Sequence, residues 1–498
     1  MASRASRALR AYASPGGFIH LWRRGSRGFA TSTSALPRGG SDSGAGGELS
    51  SSDLIQHEIL YSAHNYHPIP VVFARAKNAL VWDPEGRQYL DFLSAYSAVN
   101  QGHCHQKILD VLVEQSQRLT LSSRAFHNDK FPTFARLLTR IFGYDMMLPM
   151  NTGAEGVETA LKLAKKWGYM KKGITKDEAS ASVLFALQKI VQALIVSCCG
   201  CFHGRTLAAV SMSCDNDATR GFSPLLGGNL KVDFGDADAL ESIFKEHGDN
   251  IAGFLFEPIQ GEAGVIVPPE GYLRKVRELC SKYNVLMIAD EIQTGMARTG
   301  RLLAVEWENV RPDVVILGKA LGAGVLPVSA VLADKEVMLC IQPGEHGSTF
   351  GGNPLGSAVG IASLEIVQEE CLAERAEELG EKLRESLREL QVRHPDVIKE
   401  VRGRGLLNAV EMHPVGSSKV TAYDVCLALK ERGILAKPTH NTIIRLSPPL
   451  TITEEQIQEA VKAFGSVLED DYSHLKDLSS KRGSLQKPEP CDRCGRVK

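Results

Sequence analysis

The sequence has no apolar run approaching the roughly 20 residues that a membrane-crossing helix needs, which argues against a helical span. Cysteine is sparse. The eleven present are scattered singly, apart from CCGC at Cys198, Cys199 and Cys201 and CDRC at Cys491 and Cys494. So few over so long a chain argue against a secreted disulfide framework. No second CxxC stands at zinc-ribbon spacing, so the terminal pair reads as free thiols and no metal site is expected. No internal repeat recurs at solenoid periods. Acid is missing from the first 41 residues, which carry seven arginines (Arg4, Arg7, Arg10, Arg23, Arg24, Arg27 and Arg38) among many Ser and Ala. That is the composition of an organelle transit peptide, with RGFATSTS as a cleavage neighbourhood; a basic arm that stays attached is the alternative. Without those cations the formal net charge moves from −1 to −8, and so mildly acidic a body argues against nucleic acid and anionic membrane as partners.

What is present is ordinary globular material: 498 residues, 43% hydrophobic and 23% charged, enough for two or three domains. After the leader (1–41) comes a Gly/Ser linker (42–52), and at the other end a polar tail (473–498) reads as disordered. Between them helical patterns alternate with short apolar runs, AGFLFEP, NVLMIADE and DVVILGK. Continuous apolar runs suit parallel strands covered on both faces, so residues 101–350 read as a doubly wound, mostly parallel α/β domain. Residues 351–472 open with one long charged helix, SLEIVQEECLAERAEELGEKLRESLREL. Short strands such as LLNAVEM and TIIRLSP follow, giving a smaller α+β domain.

In open α/β sheets ligands bind beyond the carboxyl ends of the strands. Three charged residues fall there, Glu257, Asp290 and Lys319. A lone strand-end lysine is ordinarily a side chain with its head in water; three charges of opposite sign look like a site. In NTGAEGVETALKLAKKWG, Thr152 and Glu155 form a capping-box pattern. Val157, Ala160, Leu161, Ala164 and Trp167 recur at helical spacing, so a helix is predicted to start near Gly153. The free N–H groups of Gly153 and Ala154 would bind an anion, and a second Gly-rich turn, HGSTFGGNP, offers Ser348 and Thr349. A phosphate cradle, a strand-end aspartate and a strand-end lysine together fit pyridoxal phosphate: the lysine forms a Schiff base, and the acid keeps the pyridinium nitrogen protonated.

The stretches IADEIQTGMARTG, LGKALGAG, FEPIQGEAGV, NTGAEGVETALKLA and HGSTFGGNP resemble the class III pyridoxal-phosphate aminotransferases. SAHNYHPIPVVFARAKNALVWDPEGRQYLDFLSAYSAVNQGHCH is similar to their ornithine aminotransferase branch, plant mitochondrial members in particular. The likeness covers about residues 60–470. It implies fold type I, with residues 53–100 joining the small domain and the active site. It also implies that Lys319 holds the cofactor and shuttles a proton. Asp290 would pair with the ring nitrogen, Gln293 with the ring hydroxyl, and Phe202 would stack on the ring. Gly153 and Ala154, with Thr349 of the partner subunit, would bind phosphate, so a homodimer or higher even oligomer with shared sites is implied. For substrates, Arg205 would take a carboxylate, Tyr66 the α-amino group of ornithine, and Tyr96 would shape the pocket. Glu262 and Arg445 would form an ion pair, closed for ornithine and open for the dicarboxylic partner. By themselves Tyr66 and Tyr96 suit core aromatics equally well, and Arg445 a surface cation.

The implied reaction is transfer of the δ-amino group of L-ornithine to 2-oxoglutarate in the mitochondrial matrix, a plastid being the less favoured address. N-acetylornithine and 4-aminobutyrate aminotransferases are the alternatives. One departure stands out: SASVLFALQKIVQA (180–193) is inserted where the family passes almost directly from KDEA to LIVSCCGCFHGRT. Val183, Leu187, Ile190 and Leu194 recur at helical spacing, predicting a helical excursion. An insertion so close to Phe202 also raises the alternative of a catalytically impaired homologue.

Overall fold

The computed structural model describes residues 49–174, 192–413, 420–472 and 475. The expected transit peptide, nearly all of the insertion and the CxxC tail lie outside the described residues. A hairpin of β1 (Arg75–Lys77), β2 (Leu80–Trp82) and β3 (Gln88–Asp91) comes first. The central sheet uses β4 (Met146–Met150), β5 (Leu194–Cys198), β6 (Asn229–Val232), β7 (Ile251–Phe256), β8 (Leu286–Asp290), β9 (Val314–Leu317) and β10 (Ser329–Ala333). Then come β11 (Ile398–Arg404), β12 (Leu407–Met412), β13 (Ile434–Leu435), β14 (Lys437–Thr439) and β15 (Ile443–Leu446).

The central sheet runs β4-β10-β9-β8-β7-β5-β6. From β9 to β6 every pairing is parallel, and β10 is antiparallel to both β9 and β4. Strands β7, β8 and β9 are buried along their whole length, as two-faced cover requires. Packed on one face, the helix Gly153–Trp167 begins as its sequence predicts. Thr152 caps it, the Glu155 amide donates to Thr152 Oγ1, and the Thr152 amide donates to the Glu155 carboxylate. Its buried side includes Val157, Ala160, Leu161, Ala164 and Trp167.

The hairpin strand β3 pairs in parallel with β13, so the N-terminal segment shares a sheet with the C-terminal region. Strands β11-β12-β15-β14 form a third, antiparallel sheet.

Three local expectations give way. The long charged helix is two helices, Pro354–Glu369 and Leu372–Arg393, because Cys371 takes a left-handed conformation (φ 49°) that ends the helical hydrogen-bond run. Residues 51 and 52 belong to a helix, Ser51–Tyr61, rather than to the linker, since Ser50 and Asp53 close a capping box. Leu194 opens β5 instead of closing a helical face. The preceding Ala193 is fully buried, with its amide donating to the Tyr169 hydroxyl and its carbonyl accepting from Lys165.

Candidate active site

Lys319 follows β9 across Gly318, opening a short 3-10 turn with φ 44°. Its head is not in water. Burial first, and then the Arg445 guanidinium, push its pKa down to about 8. The ammonium faces Tyr96 at 5.9 Å from the ring centroid, and the same ring lies 5.4 Å from the Arg445 guanidinium carbon.

Asp290 ends β8, the neighbouring strand, and is nearly inaccessible. One carboxylate oxygen bonds His203 Nδ1 at 2.7 Å and the other accepts from the Ile292 amide at 3.2 Å. Burial acts to lower the His203 pKa, but neighbouring Cys201 and the Asp290 carboxylate outweigh it and push the imidazole up to about 10. Glu257, one residue past β7, is pushed up to about 7 by burial, with the His203 charge opposing. Its carboxylate accepts from the Phe202 amide at 3.0 Å and from the Gly261 amide at 3.2 Å. Thus the three strand-end charges of the sequence do converge, with His203 beside the two carboxylates. His203 is the residue at this site that sequence reasoning left out, and Glu257, marked there only by its strand-end position, was given no role. The signal was there in Phe-His-Gly-Arg and in the strand-end pattern, but a lone histidine carries no role until its partner is known.

The start of the helix Gly153–Trp167 packs against these loops. A Cβ on Gly153 would lie 2.8 Å from Ile292 Cδ1, and one on Gly204 would lie 2.8 Å from Ala154 Cβ. Glycine at 153 therefore lets the free helix N-terminus sit directly beside the Asp290 loop. The Ser348 hydroxyl joins this corner by accepting from the Asn151 side-chain amide at 2.9 Å. Thr349 is exposed and lies in a different cleft, with Arg124 and Lys162.

A cavity of about 190 Å³ opens between Tyr96, Phe202, Arg205, Glu262 and His440. Arg205 is exposed there, its guanidinium 5.4 Å from the Phe202 ring, and among the described residues no carboxylate pairs with it. Arg445, carried on β15, is wholly buried rather than a surface cation. It donates to Glu262 at 3.0 Å and to Gln293 Oε1 at 2.7 Å, while the Gln293 amide nitrogen stands 3.4 Å from Glu262. Gln293 is therefore engaged by the ion pair in addition to any contact with a ring hydroxyl. Burial and then the Glu262 charge raise the Tyr96 pKa. Tyr66 is exposed, so neither a core aromatic nor, within the chain, a wall of this cavity; its hydroxyl is still felt electrostatically by Tyr96. Among the described residues no cluster of His, Cys, Asp and Glu could hold a metal, and no helix is long and apolar enough to cross a membrane.

A buried lysine of lowered pKa, a carboxylate fixed at the next strand end, an aromatic ring and a free helix N-terminus fit pyridoxal phosphate as a set. The class III aminotransferase family matches residues 61–468, and the chain belongs to it. Enzymes of this class work with pyridoxal phosphate. Within it, the chain is 63% identical over 481 residues to the mitochondrial ornithine aminotransferase of Oryza sativa, covering 97% of each. Among solved structures it is similar to the ornithine aminotransferase of Toxoplasma gondii. That match has a TM-score of 0.79 and 43% identity, and covers 86% of this chain and 96% of that one. It is also similar to an acetylornithine aminotransferase from Elizabethkingia anophelis, with a TM-score of 0.75 and 49% identity, covering 85% and 100%.

Proposed function

We propose that the protein transfers the δ-amino group of L-ornithine to 2-oxoglutarate in the mitochondrial matrix, giving glutamate 5-semialdehyde and glutamate. The observation that carries this reading is the asymmetry of the two arginines at the cavity. Arg205 is open, whereas Arg445 is already paired with Glu262. A substrate with a single carboxylate and an amine at its far end needs only the open one. A dicarboxylate needs both, so Glu262 must turn away for the second half-reaction.

Pyridoxal phosphate, when bound, supplies an electron-accepting ring that keeps the amino group between the two half-reactions. The chain's own residues do the rest. Gly153 and Ala154 would offer amides to its phosphate, joined by Ser348 and by the partner subunit's Thr349, while Phe202 would supply an aromatic face for the ring and Gln293 a partner for its hydroxyl. Asp290, held by His203 and the Ile292 amide, would keep a proton on the ring nitrogen. Lys319 Nζ would hold the group, and its free amine would move a proton to or from the substrate carbon. Arg205 grips the ornithine α-carboxylate with two parallel hydrogen bonds. Tyr66 receives the α-ammonium and Tyr96 shapes the channel, leaving the δ-amine aimed at Lys319. N-acetylation would replace that ammonium with a bulkier neutral amide, which Tyr66 rejects. The semialdehyde then cyclises to 1-pyrroline-5-carboxylate. In this reading residues 53–100 complete a small domain with 351–472, and 101–350 form the cofactor domain.

Half-reactions of the holoenzyme with L-ornithine, N-acetylornithine and 4-aminobutyrate, followed by cofactor absorbance, test this. Ornithine should convert fastest; faster conversion of N-acetylornithine would move the protein to the function for which its bacterial neighbour is named.

A further inference from the structure

Glu262 stands on a turn whose backbone few residues can adopt. Gly264 has φ 110° and Val265 φ 56°, and a β-branched residue at positive φ is a genuine outlier. Local bonds alone do not explain why the turn holds. Gly264 and Val265 amides both donate to the Gly261 carbonyl at 3.1 Å, and Gln260 and Ile266 pair at the base. The remaining grip comes from another sheet. Arg402, on β11, donates through Nη2 to the Gly264 carbonyl at 2.8 Å, and through Nε to the same oxygen at 3.1 Å and to the Val265 carbonyl at 3.2 Å. Its other nitrogen bonds Glu400 at 2.7 Å and Glu411, which Lys399 also holds. On the same sheet, Ile443 closes against Gly264 so tightly that an added Cβ would lie 2.5 Å from its Cδ1. Ile443 is two residues from Arg445 on β15.

We infer that Arg402 is a positioning residue for substrate selection. By clamping the carbonyls of Gly264 and Val265 to the sheet that carries Arg445, it fixes the backbone from which Glu262 meets Arg445. The pair then opens by rotation of the Glu262 side chain, with the turn left in place. This rests on reading Glu262–Arg445 as the substrate-dependent pair. Among the described residues Arg402 has no hydrogen bond or ion pair with Glu262, and it is not one of the residues lining the cavity.

The test compares wild type, Arg402→Gln, Arg402→Lys, Glu262→Ala and the Arg402→Gln/Glu262→Ala double variant as holoenzymes. Single-turnover rates with L-ornithine and L-glutamate are read from cofactor absorbance. Glu262→Ala should lower the ornithine-to-glutamate ratio of second-order constants by about 10-fold or more. Arg402→Gln should lower it by about 3- to 10-fold, the reach of a residue acting at one remove. Arg402→Lys keeps a cation beside Glu411 but loses the fork. It should shift the ratio the same way by only about 2- to 3-fold, and it carries the test if Arg402→Gln does not accumulate. The double variant should go no lower than Glu262→Ala. Equal losses on both substrates, or a full additional loss in the double variant, would show that Arg402 merely supports the fold and overturn the proposal. An unchanged ratio in Glu262→Ala would instead remove the ion-pair reading, and the proposal with it.

Discussion

At Lys319 two environments oppose the charged amine, enclosure and a neighbouring guanidinium. A group whose pKa falls from its ordinary 10.5 to about 8 has lost its proton in the folded chain where the unfolded chain still keeps one. Between those two pH values the cofactor-free protein therefore gains stability as pH rises, and below about pH 8 it bears the whole cost of the buried charge. The neutral amine is also the nucleophile, so capture of pyridoxal phosphate by the cofactor-free protein should accelerate as pH rises through about 8. Stopped-flow absorbance checks this, and a rate still climbing only near pH 10 would contradict it. Lys319→Ala should abolish the borohydride-fixable link. Lys319 and Asp290 were legible because strand ends and residue types sufficed to mark them. The Glu262–Arg445 pair was expected only through the family resemblance, and Gln293's place in it was not expected at all, since the three lie on segments more than 30 residues apart and no periodicity records such a meeting. His203 was hidden for the same reason.

Among the elements, the parallel strands and the capped helix Gly153–Trp167 were readable from local pattern alone. The turn that presents Tyr96 was not. Ser94, Ala95, Tyr96 and Ser97 have φ of 47°, 49°, 59° and 70°, a left-handed helical turn without a single glycine. Left-handed helix costs L-residues roughly 1–2 kcal/mol each, so local preference points the other way and the surroundings must impose it. Asp91 accepts from the Leu93 and Ser94 amides and bonds His103. The Ser94 hydroxyl donates to the Ser447 carbonyl and accepts from Arg298. Arg298 is wholly buried and also reaches Asn100, Leu406 and Pro448. Burial, then Arg445, push its pKa down to about 9. Arg298→Met would leave those acceptors unpaired, and should cost on the order of 3 kcal/mol in urea unfolding of the cofactor-free protein. An unchanged midpoint would show the turn is held otherwise.

For the whole molecule assembly turns on Thr349, which lies away from its own chain's cavity beside exposed Phe350. We propose a dimer in which each site takes Thr349 of the partner subunit. Lys319→Ala and Thr349→Ala proteins, each nearly inactive alone, should then complement when unfolded and refolded together. One site in each mixed dimer is intact, so activity should return to about a quarter of wild type. No recovery, or a monomer by sedimentation, would refute sharing. The left-handed turn also bears on when the enzyme becomes active. Its anchors at Leu406, Ser447 and Pro448 lie more than 300 residues downstream of Tyr96. Tyr96 therefore has no stable place until nearly the whole chain has been made and has closed on itself. A nascent or partly translocated polypeptide could hold a folded central sheet and still be catalytically silent, so the order of synthesis itself acts as a delay on amino-group transfer.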